Sequence, residues 1–220
     1  CCLSSSSRAW RHAAGARLTR QLGIAFTMLH DPWLTRWLPL AIEHAQSKPV
    51  LEFGCGSGDD TATLVKAGLS VVTFDLSERS VATTRLRVPK AKVVCRDILE
   101  PFPLAEQSAG AVVASLTLHY FSWLQTVELM DRVRRTLIPG GIFLCRLNST
   151  EDRNFGAIGH PMIEENYYLV DGQPKRFFEE KDLEVLFAKG WLERSREHMS
   201  TRKYVQAKAL WEVVLQRSDA

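Results

Sequence analysis

The stretch from Val50 to Thr61, VLEFGCGSGDDT, constrains the fold of this chain more than any other part of the sequence. A short apolar run leads directly into three glycines on alternate positions, Gly54, Gly56 and Gly58. Glycine lets the backbone turn sharply and approach a ligand closely, because it has no Cβ. The Asp-Asp-Thr run that follows is typical of a helix start. The stretch therefore predicts a strand, a tight loop and a helix whose N-terminal end faces a nucleotide-like ligand.

The spacing of this loop excludes two common nucleotide motifs. A dinucleotide fingerprint needs G-x-G-x-x-G, but Asp59 stands where its third glycine belongs. A phosphate-binding P-loop needs a Gly-Lys-Ser/Thr ending, which is absent. The carboxylates of Glu52 and Asp59 would also repel a pyrophosphate and attract a cationic ligand. These observations favour a ligand that carries positive charge.

The run from Glu52 to Gly58, EFGCGSG, resembles motif I of the class I S-adenosylmethionine-dependent methyltransferases, whose ligand carries a sulfonium and an ammonium group. Three later matches follow in the right order. Asp75 ends the apolar run 70–75, Asp97 follows the run 92–96, and Ser115 lies in the run 111–116. The resemblance covers about residues 48–147.

This resemblance implies one cofactor, S-adenosylmethionine, bound at the carboxyl ends of the strands. In the family, the acid at Asp75 takes the ribose hydroxyls, the residue at Leu76 packs on the adenine, and the acid at Asp97 reads the adenine amino group. The expected cofactor-binding residues are Glu52, Gly54, Cys55, Gly56, Gly58, Asp75, Leu76, Asp97, Ile98 and Ser115.

Strand and helix patterns alternate five times, which predicts a parallel sheet covered on both faces. We expect an α/β fold with a Rossmann-like, doubly wound, seven-stranded and mostly parallel sheet. Residues 191–196 and 208–215 suit its antiparallel C-terminal edge, although periodicity leaves a helix open for the second segment. Family members usually carry Asp where this chain has Gly110. We interpret this position as one with a structural role.

The division into domains follows from composition. Residues 1–25 carry arginines and serines and no acid, which is typical of a leader or a disordered segment. Residues 26–220 form the expected methyltransferase domain, with a polar insertion at 148–178. We interpret that insertion as a cover on the acceptor side of the site; the alternative is a mobile surface loop.

His119 is the expected general base, because it follows the fourth strand at the rim of the site. The weaker candidates are His160, His198 and Tyr167, and a packing role for His119 stays open. Cys55 is expected to take part in the site through its backbone, and its thiol is not expected to act as a nucleophile.

Composition limits the partners and the compartment. The net charge of +3 is too small to indicate nucleic acid by itself, so no DNA partner is expected. The five cysteines show no metal spacing, and no apolar run is long enough to span a membrane. We expect a cytoplasmic protein without a metal, or an organellar one if the N-terminus is a transit peptide.

The leading hypothesis is a methyltransferase that acts on a small-molecule acceptor. A protein or tRNA methyltransferase is the second reading, with residues 194–208 as its one candidate basic surface. The Asn-Pro-Pro-aromatic motif of amino-methylating enzymes is missing at 115–118, which argues against N-methylation of nucleobases or glutamine. The third reading is a non-catalytic partner subunit with the same fold. The oligomeric state stays open.

Overall fold

The computed structural model describes residues 32–201 and 206–218. The expected leader at residues 1–25 lies outside these ranges, so the leader and the compartment that depends on it stay predictions. Among the described residues, no helix has both the length and the apolar character to cross a membrane.

A seven-stranded sheet forms the centre of the molecule, in the order β3-β2-β1-β4-β5-β10-β9. The first five strands pair in parallel, whereas β10 pairs antiparallel with both β5 and β9. The predicted Rossmann-like sheet with an antiparallel C-terminal edge is therefore confirmed. The strands of this sheet are β1 (Val50–Phe53), β2 (Val71–Asp75), β3 (Lys92–Cys95), β4 (Ala109–Ser115), β5 (Leu137–Asn148), β9 (Trp191–Thr201) and β10 (Lys208–Arg217).

Helices cover both faces of the sheet. Hydroxyl caps start two of them: the Ser77 side chain accepts from the backbone N–H of Ser80, and Ser122 forms a capping box with Gln125. The α-helices are α1 (Leu38–Ala45), α2 (Asp59–Lys66), α3 (Glu78–Arg87), α4 (Trp123–Thr136) and α5 (Glu180–Leu186), with 3₁₀ helices at Trp33–Trp37 and Leu118–Tyr120.

The core lies on both sides of the sheet because the central strands are buried on both faces. Successive residues of β1 enter opposite layers: Val50 packs with Val113 and Ile142 on one side, and Leu51 and Phe53 join the cluster on the other. The chain therefore holds the carboxyl ends of its parallel strands at one edge of a rigid scaffold.

Helix α4 begins at Trp123, because Ser122 supplies its cap. The Leu-Ile-Pro-Gly-Gly segment at residues 137–141 is the irregular first part of β5. Leu137 pairs with Ala109, and the register shifts before Ile142 pairs with Ala111.

Gly110 has the structural role that the sequence analysis gave it. A Cβ at this position would lie 2.2 Å from the carbonyl oxygen of Ala45, at the end of α1. Any side chain here would therefore push α1 away from the sheet.

The insertion between β5 and α5 contains regular secondary structure. It contains a second, antiparallel sheet of β6 (Met162–Glu164), β7 (Tyr167–Val170) and β8 (Gln173–Arg176). The Tyr167 hydroxyl donates to the Tyr120 carbonyl at 2.9 Å, and Arg176 Nε donates to the Phe121 carbonyl at 3.0 Å. The insertion is therefore fixed to the segment that follows β4.

Candidate active site

The glycine loop connects β1 to α2 as predicted. Gly54, Gly56 and Gly58 have φ values of +71°, +50° and +81°, which are in the left-handed region that favours glycine. A cavity of about 160 Å³ opens beside the loop. Its lining residues are Glu52, Phe53, Gly54, Cys55, Gly56, Ser57, Asp59, Asp60, Val113 and Ser115.

Glu52 is buried at the floor of this cavity, with 3% of its surface exposed. The hydroxyl of Thr61 donates to its Oε2 at 2.6 Å. Burial raises the pKa of Glu52 to about 8, and the nearby charge of Asp60 adds to that effect. A cation in the cavity would favour the ionised carboxylate.

Asp75 ends β2 beside the glycine loop. Its two oxygens accept backbone N–H groups, Oδ2 from Gly56 at 3.0 Å and Oδ1 from Ser77 at 2.8 Å. These bonds fix the carboxylate at the carboxyl edge of the sheet. Leu76 follows with 59% of its surface exposed, so it presents an apolar face next to this carboxylate.

Asp97 and Ile98 lie beyond the end of β3, the strand that neighbours β2. Asp97 Oδ1 accepts from the backbone N–H of Leu99 at 2.9 Å, and Arg132 donates to the Ile98 carbonyl at 3.1 Å. The pairing of Asp75 with Cys95 places Asp97 next to the Asp75 end of the sheet. The 160 Å³ cavity is lined by none of Asp75, Leu76, Asp97 and Ile98, which lie at or just beyond the ends of β2 and β3.

Ser115 lines the cavity from β4, and its hydroxyl oxygen accepts from Arg146 Nη2 at 2.7 Å. The sequence analysis did not single out Arg146, which is almost fully buried on β5. Its guanidinium lies 4.5 Å from the centroid of the Trp33 ring. A buried strand that contains an arginine is unusual, and that feature alone could have drawn attention to Arg146.

Trp33 and Asp60 are the other site residues that the sequence analysis missed. Trp33 is buried in the core cluster that contains Leu34 and Ala41, and its Nε1 also donates to both carboxylate oxygens of Asp60, at 3.0 and 3.1 Å. Asp60 was read only as a helix-starting residue, yet its position in the first turn of α2 places it in the cavity wall.

Cys55 is buried behind the loop, and burial raises the pKa of its thiol to about 11. The thiol is therefore protonated at neutral pH and a poor nucleophile. Among the described residues, no group of three or more histidine, cysteine or acidic side chains could hold a metal ion.

The four candidates for a general base have different surroundings. His119 is 7% exposed in the 3₁₀ helix after β4, and burial lowers its pKa to about 3. His198 is within hydrogen-bond distance of Ser149, with 2.7 Å between Nε2 and Oγ, and Tyr167 donates to Tyr120. His160 is half-buried in the insertion. None of the four lines the cavity beside the glycine loop.

The donor set fits S-adenosylmethionine better than a pyrophosphate-containing nucleotide. Asp60 places a carboxylate beside the loop, where a pyrophosphate would be repelled and an ammonium attracted, and the Glu52 carboxyl would add to this charge once it ionises. A Cβ at Gly56 would meet no atom within 4 Å, so the loop leaves free space on its ligand side.

Known proteins carry the same sequence pattern. A family model described as a methyltransferase domain matches residues 50–141. An uncharacterized methyltransferase from Synechocystis is 35% identical over 104 residues, which are 47% of this chain and 48% of that relative. Trans-aconitate 2-methyltransferase from Delftia acidovorans is 30% identical over 106 residues, which are 47% of this chain and 39% of that enzyme. The chain thus spans less than half the length of either relative.

The fold also recurs among solved structures. The Burkholderia thailandensis 1,6-didemethyltoxoflavin-N1-methyltransferase superposes with a TM-score of 0.64 at 19% identity, over 84% of this chain and 78% of that one. The fold is therefore one that solved methyltransferases share. Residues 50–141 of this chain match the model of a methyltransferase domain, so the predicted resemblance and the predicted fold are confirmed. The activity and the cofactor of the whole chain stay predictions, because the family model and these two relatives each match less than half of it.

Proposed function

We propose that this chain transfers the methyl group of S-adenosylmethionine to a small-molecule acceptor. The observation that carries the proposal is the position of three acids, Glu52, Asp75 and Asp97, at or just beyond the carboxyl ends of adjacent strands around the glycine loop. Ligands of open parallel sheets bind at that edge.

The residues of the loop and the neighbouring strand ends would hold the cofactor. Asp60 supplies negative charge for its ammonium group, Glu52 adds to that charge when it releases its proton, and the backbone of Ser115 lies on the same side. Asp75 is the acceptor for the ribose hydroxyls, because two backbone N–H groups already fix its carboxylate. Leu76 and Ile98 supply apolar surface for the adenine.

When bound, the cofactor supplies an electrophilic methyl group, which a lone pair of the acceptor takes as the methyl–sulfur bond breaks. The protein needs no covalent intermediate for this chemistry. Its contribution is to align the acceptor and to exclude water. The rigid sheet edge and the insertion fixed to residues 120 and 121 serve both purposes.

Two observations favour a small acceptor over a nucleic acid. Arg132, Arg134 and Arg135 of α4 are engaged within the protein: Arg132 donates to backbone carbonyls of residues 98–100, and the other two form ion pairs with acids. A surface that binds nucleic acid needs basic groups free for phosphates. The relative from Delftia acidovorans is named for a small acceptor, trans-aconitate.

Calorimetric titration of the full chain tests the proposal. We expect S-adenosylmethionine and S-adenosylhomocysteine to bind with micromolar affinity, and NAD, the control ligand, to give no heat. If neither adenosyl ligand binds, the protein would have a non-catalytic role. Binding of NAD would refute the cofactor assignment.

A further inference from the structure

Arg146 is a buried charged residue to which the proposed function gives no role. It lies on β5 with 1% of its surface exposed. Ile142 and Leu144, which point to the same face of the sheet, belong to an apolar core cluster, so packing alone would favour an apolar side chain at position 146. A buried guanidinium is costly unless the protein supplies partners for it. The partners of Arg146 therefore indicate its role.

Two N–H groups of Arg146 bind a single oxygen. Nε and Nη2 both donate to the hydroxyl oxygen of Ser115, at 3.1 and 2.7 Å. A guanidinium has donors only, so the Ser115 oxygen accepts both bonds and its own proton is left to donate elsewhere. Among the described residues, no group accepts from this hydroxyl. Because Ser115 lines the 160 Å³ cavity, its hydroxyl is a candidate donor for a ligand of that cavity.

Most other donors of the cavity wall are already used within the protein. The Ser57 hydroxyl donates to Asp59 at 2.6 Å. The first turn of α2 presents N–H groups, but the carboxylate of Asp60 lies in the same turn and would repel an anion. Four backbone N–H groups of the glycine loop have protein acceptors within 3.3 Å, namely those of Gly54, Cys55, Gly56 and Gly58. Ser115 is therefore the lining side chain best suited to an anionic group.

The amino-acid end of S-adenosylmethionine carries both charges, an ammonium and a carboxylate, on the same carbon atom. Asp60 and Ser115 both line the cavity, the first from α2 and the second from β4. Trp33 Nε1 donates to Asp60, and the ring of Trp33 lies 4.5 Å from the guanidinium of Arg146. One pair of contacting residues, Trp33 and Arg146, therefore fixes a negative group and a hydroxyl donor of the same cavity.

We propose that Arg146 is a positioning residue of the cofactor site, which holds the Ser115 hydroxyl as the donor to the carboxylate of S-adenosylmethionine. Asp60, held by Trp33, faces the ammonium. This inference rests on the proposed function. It makes the cavity selective for a ligand with both charges. The acid of the cavity attracts a purely cationic ligand more strongly than a zwitterion, so a preference for the zwitterion requires a donor for its carboxylate.

Calorimetric titration of the full chain with two ligands tests this role. The first ligand is S-adenosylhomocysteine, and the second is its decarboxylated analogue, which keeps the ammonium and lacks the carboxylate. We define the carboxylate preference as the ratio of the two affinities. The wild type should prefer S-adenosylhomocysteine by about tenfold, which is the size that one hydrogen bond to a charged group gives.

Two substitutions should remove the carboxylate preference. Ser115→Ala deletes the donor and should bring the ratio to about one or below, because the acid of the cavity then favours the cationic analogue. Arg146→Met releases the hydroxyl and should lower the ratio toward the same value. The double variant should have no lower ratio than Ser115→Ala alone, because Arg146 acts through Ser115. A merely structural role of Arg146 would change both affinities alike and leave the ratio unmoved.

Two control variants and a substitute variant accompany this test. Ser57 lines the same cavity but donates to Asp59, so Ser57→Ala should keep the wild-type ratio. Asp60→Asn should weaken both ligands alike, because both carry the ammonium. If Arg146→Met does not fold, Arg146→Gln replaces it. Glutamine keeps a polar end but cannot direct two N–H groups at one oxygen in the same geometry, so it should also lower the ratio.

The outcomes separate this inference from the proposed function. If neither ligand binds the wild type, the proposed function fails. If the wild type binds both ligands equally well, or if Ser115→Ala keeps the preference, the carboxylate assignment is refuted while the cofactor assignment stands. If Ser115→Ala loses the preference but the Arg146 variants keep it, Ser115 binds the carboxylate without Arg146, and the positioning role is refuted.

Discussion

Replacement of Glu52 by glutamine tests whether this buried acid is protonated in the folded protein. Its pKa is raised from 4.5 to about 8, chiefly by burial. Glutamine has the same shape and keeps an oxygen that can accept from the Thr61 hydroxyl, but it cannot ionise. The variant therefore removes the titration and little else.

The sign and size of the effect follow from proton linkage. Between pH 4.5 and about 8 the folded protein keeps a proton on Glu52 that the unfolded chain releases, so this group makes the free energy of unfolding fall as pH rises. The slope is about 1.4 kcal/mol per pH unit, which amounts to roughly 3 kcal/mol at pH 7. Glu52→Gln should match the wild type near pH 4.5 and exceed it in stability by that amount at pH 7.

Urea unfolding at pH 5, 6, 7 and 8 measures the difference between the two proteins, in which all other titrations cancel. A difference that does not change with pH would show that Glu52 has an ordinary pKa in the folded state. Asp59→Asn is the matched control, because Asp59 lines the same cavity but pairs with Arg87 at 2.6 Å. That variant should not reproduce the rising difference.

The same proton reports on the cofactor. An ammonium group near Glu52 favours its ionised form, so binding of S-adenosylmethionine at pH 7 should release up to one proton. Calorimetry in two buffers of different ionisation enthalpy measures that release. We expect Glu52→Gln to bind more weakly and to release none. Wild-type binding without proton release would contradict contact between Glu52 and a cationic group.

Three further changes test other parts of the site and the fold. Asp75→Ala removes the acceptor of two backbone N–H groups, so it should lower the affinity for S-adenosylmethionine at least tenfold in calorimetry and cost about 1–2 kcal/mol in urea unfolding; unchanged affinity would remove Asp75 from the site. Gly110→Ala places a Cβ 2.2 Å from the Ala45 carbonyl oxygen and should cost at least about 2 kcal/mol, whereas Gly68→Ala, which meets no atom within 4 Å, should cost less. Trp33→Phe removes the donor to Asp60 and should weaken cofactor binding severalfold, with Trp37→Phe, which loses the bond to Glu212, as the control.

The order of the central sheet could be predicted from the sequence because most of its parallel strands are short apolar runs followed by a helix, although β3 leads to β4 without one and β5 has twelve residues. The glycine loop and the acids at Asp75 and Asp97 were found for the same reason, since each directly follows a buried run. The three-stranded sheet of the insertion escaped prediction. Its strands are only three or four residues long, and mixed residues such as Gln173–Arg176 carry no alternation that a reader could detect.

Side chains that act across the fold were equally hard to foresee. Arg146 reaches Ser115 and Trp33, and Trp33 reaches Asp60, through contacts between residues far apart in the sequence. Trp33 had an ordinary structural interpretation in its own segment. Only the packing of the 3₁₀ helix Trp33–Trp37 near the first turn of α2 brings its indole to the carboxylate of Asp60, which lines the cavity. Local sequence patterns identify the residues at strand ends where a ligand is expected. They do not identify side chains of other elements, such as Trp33 and Arg146, that bond to the residues lining the cavity.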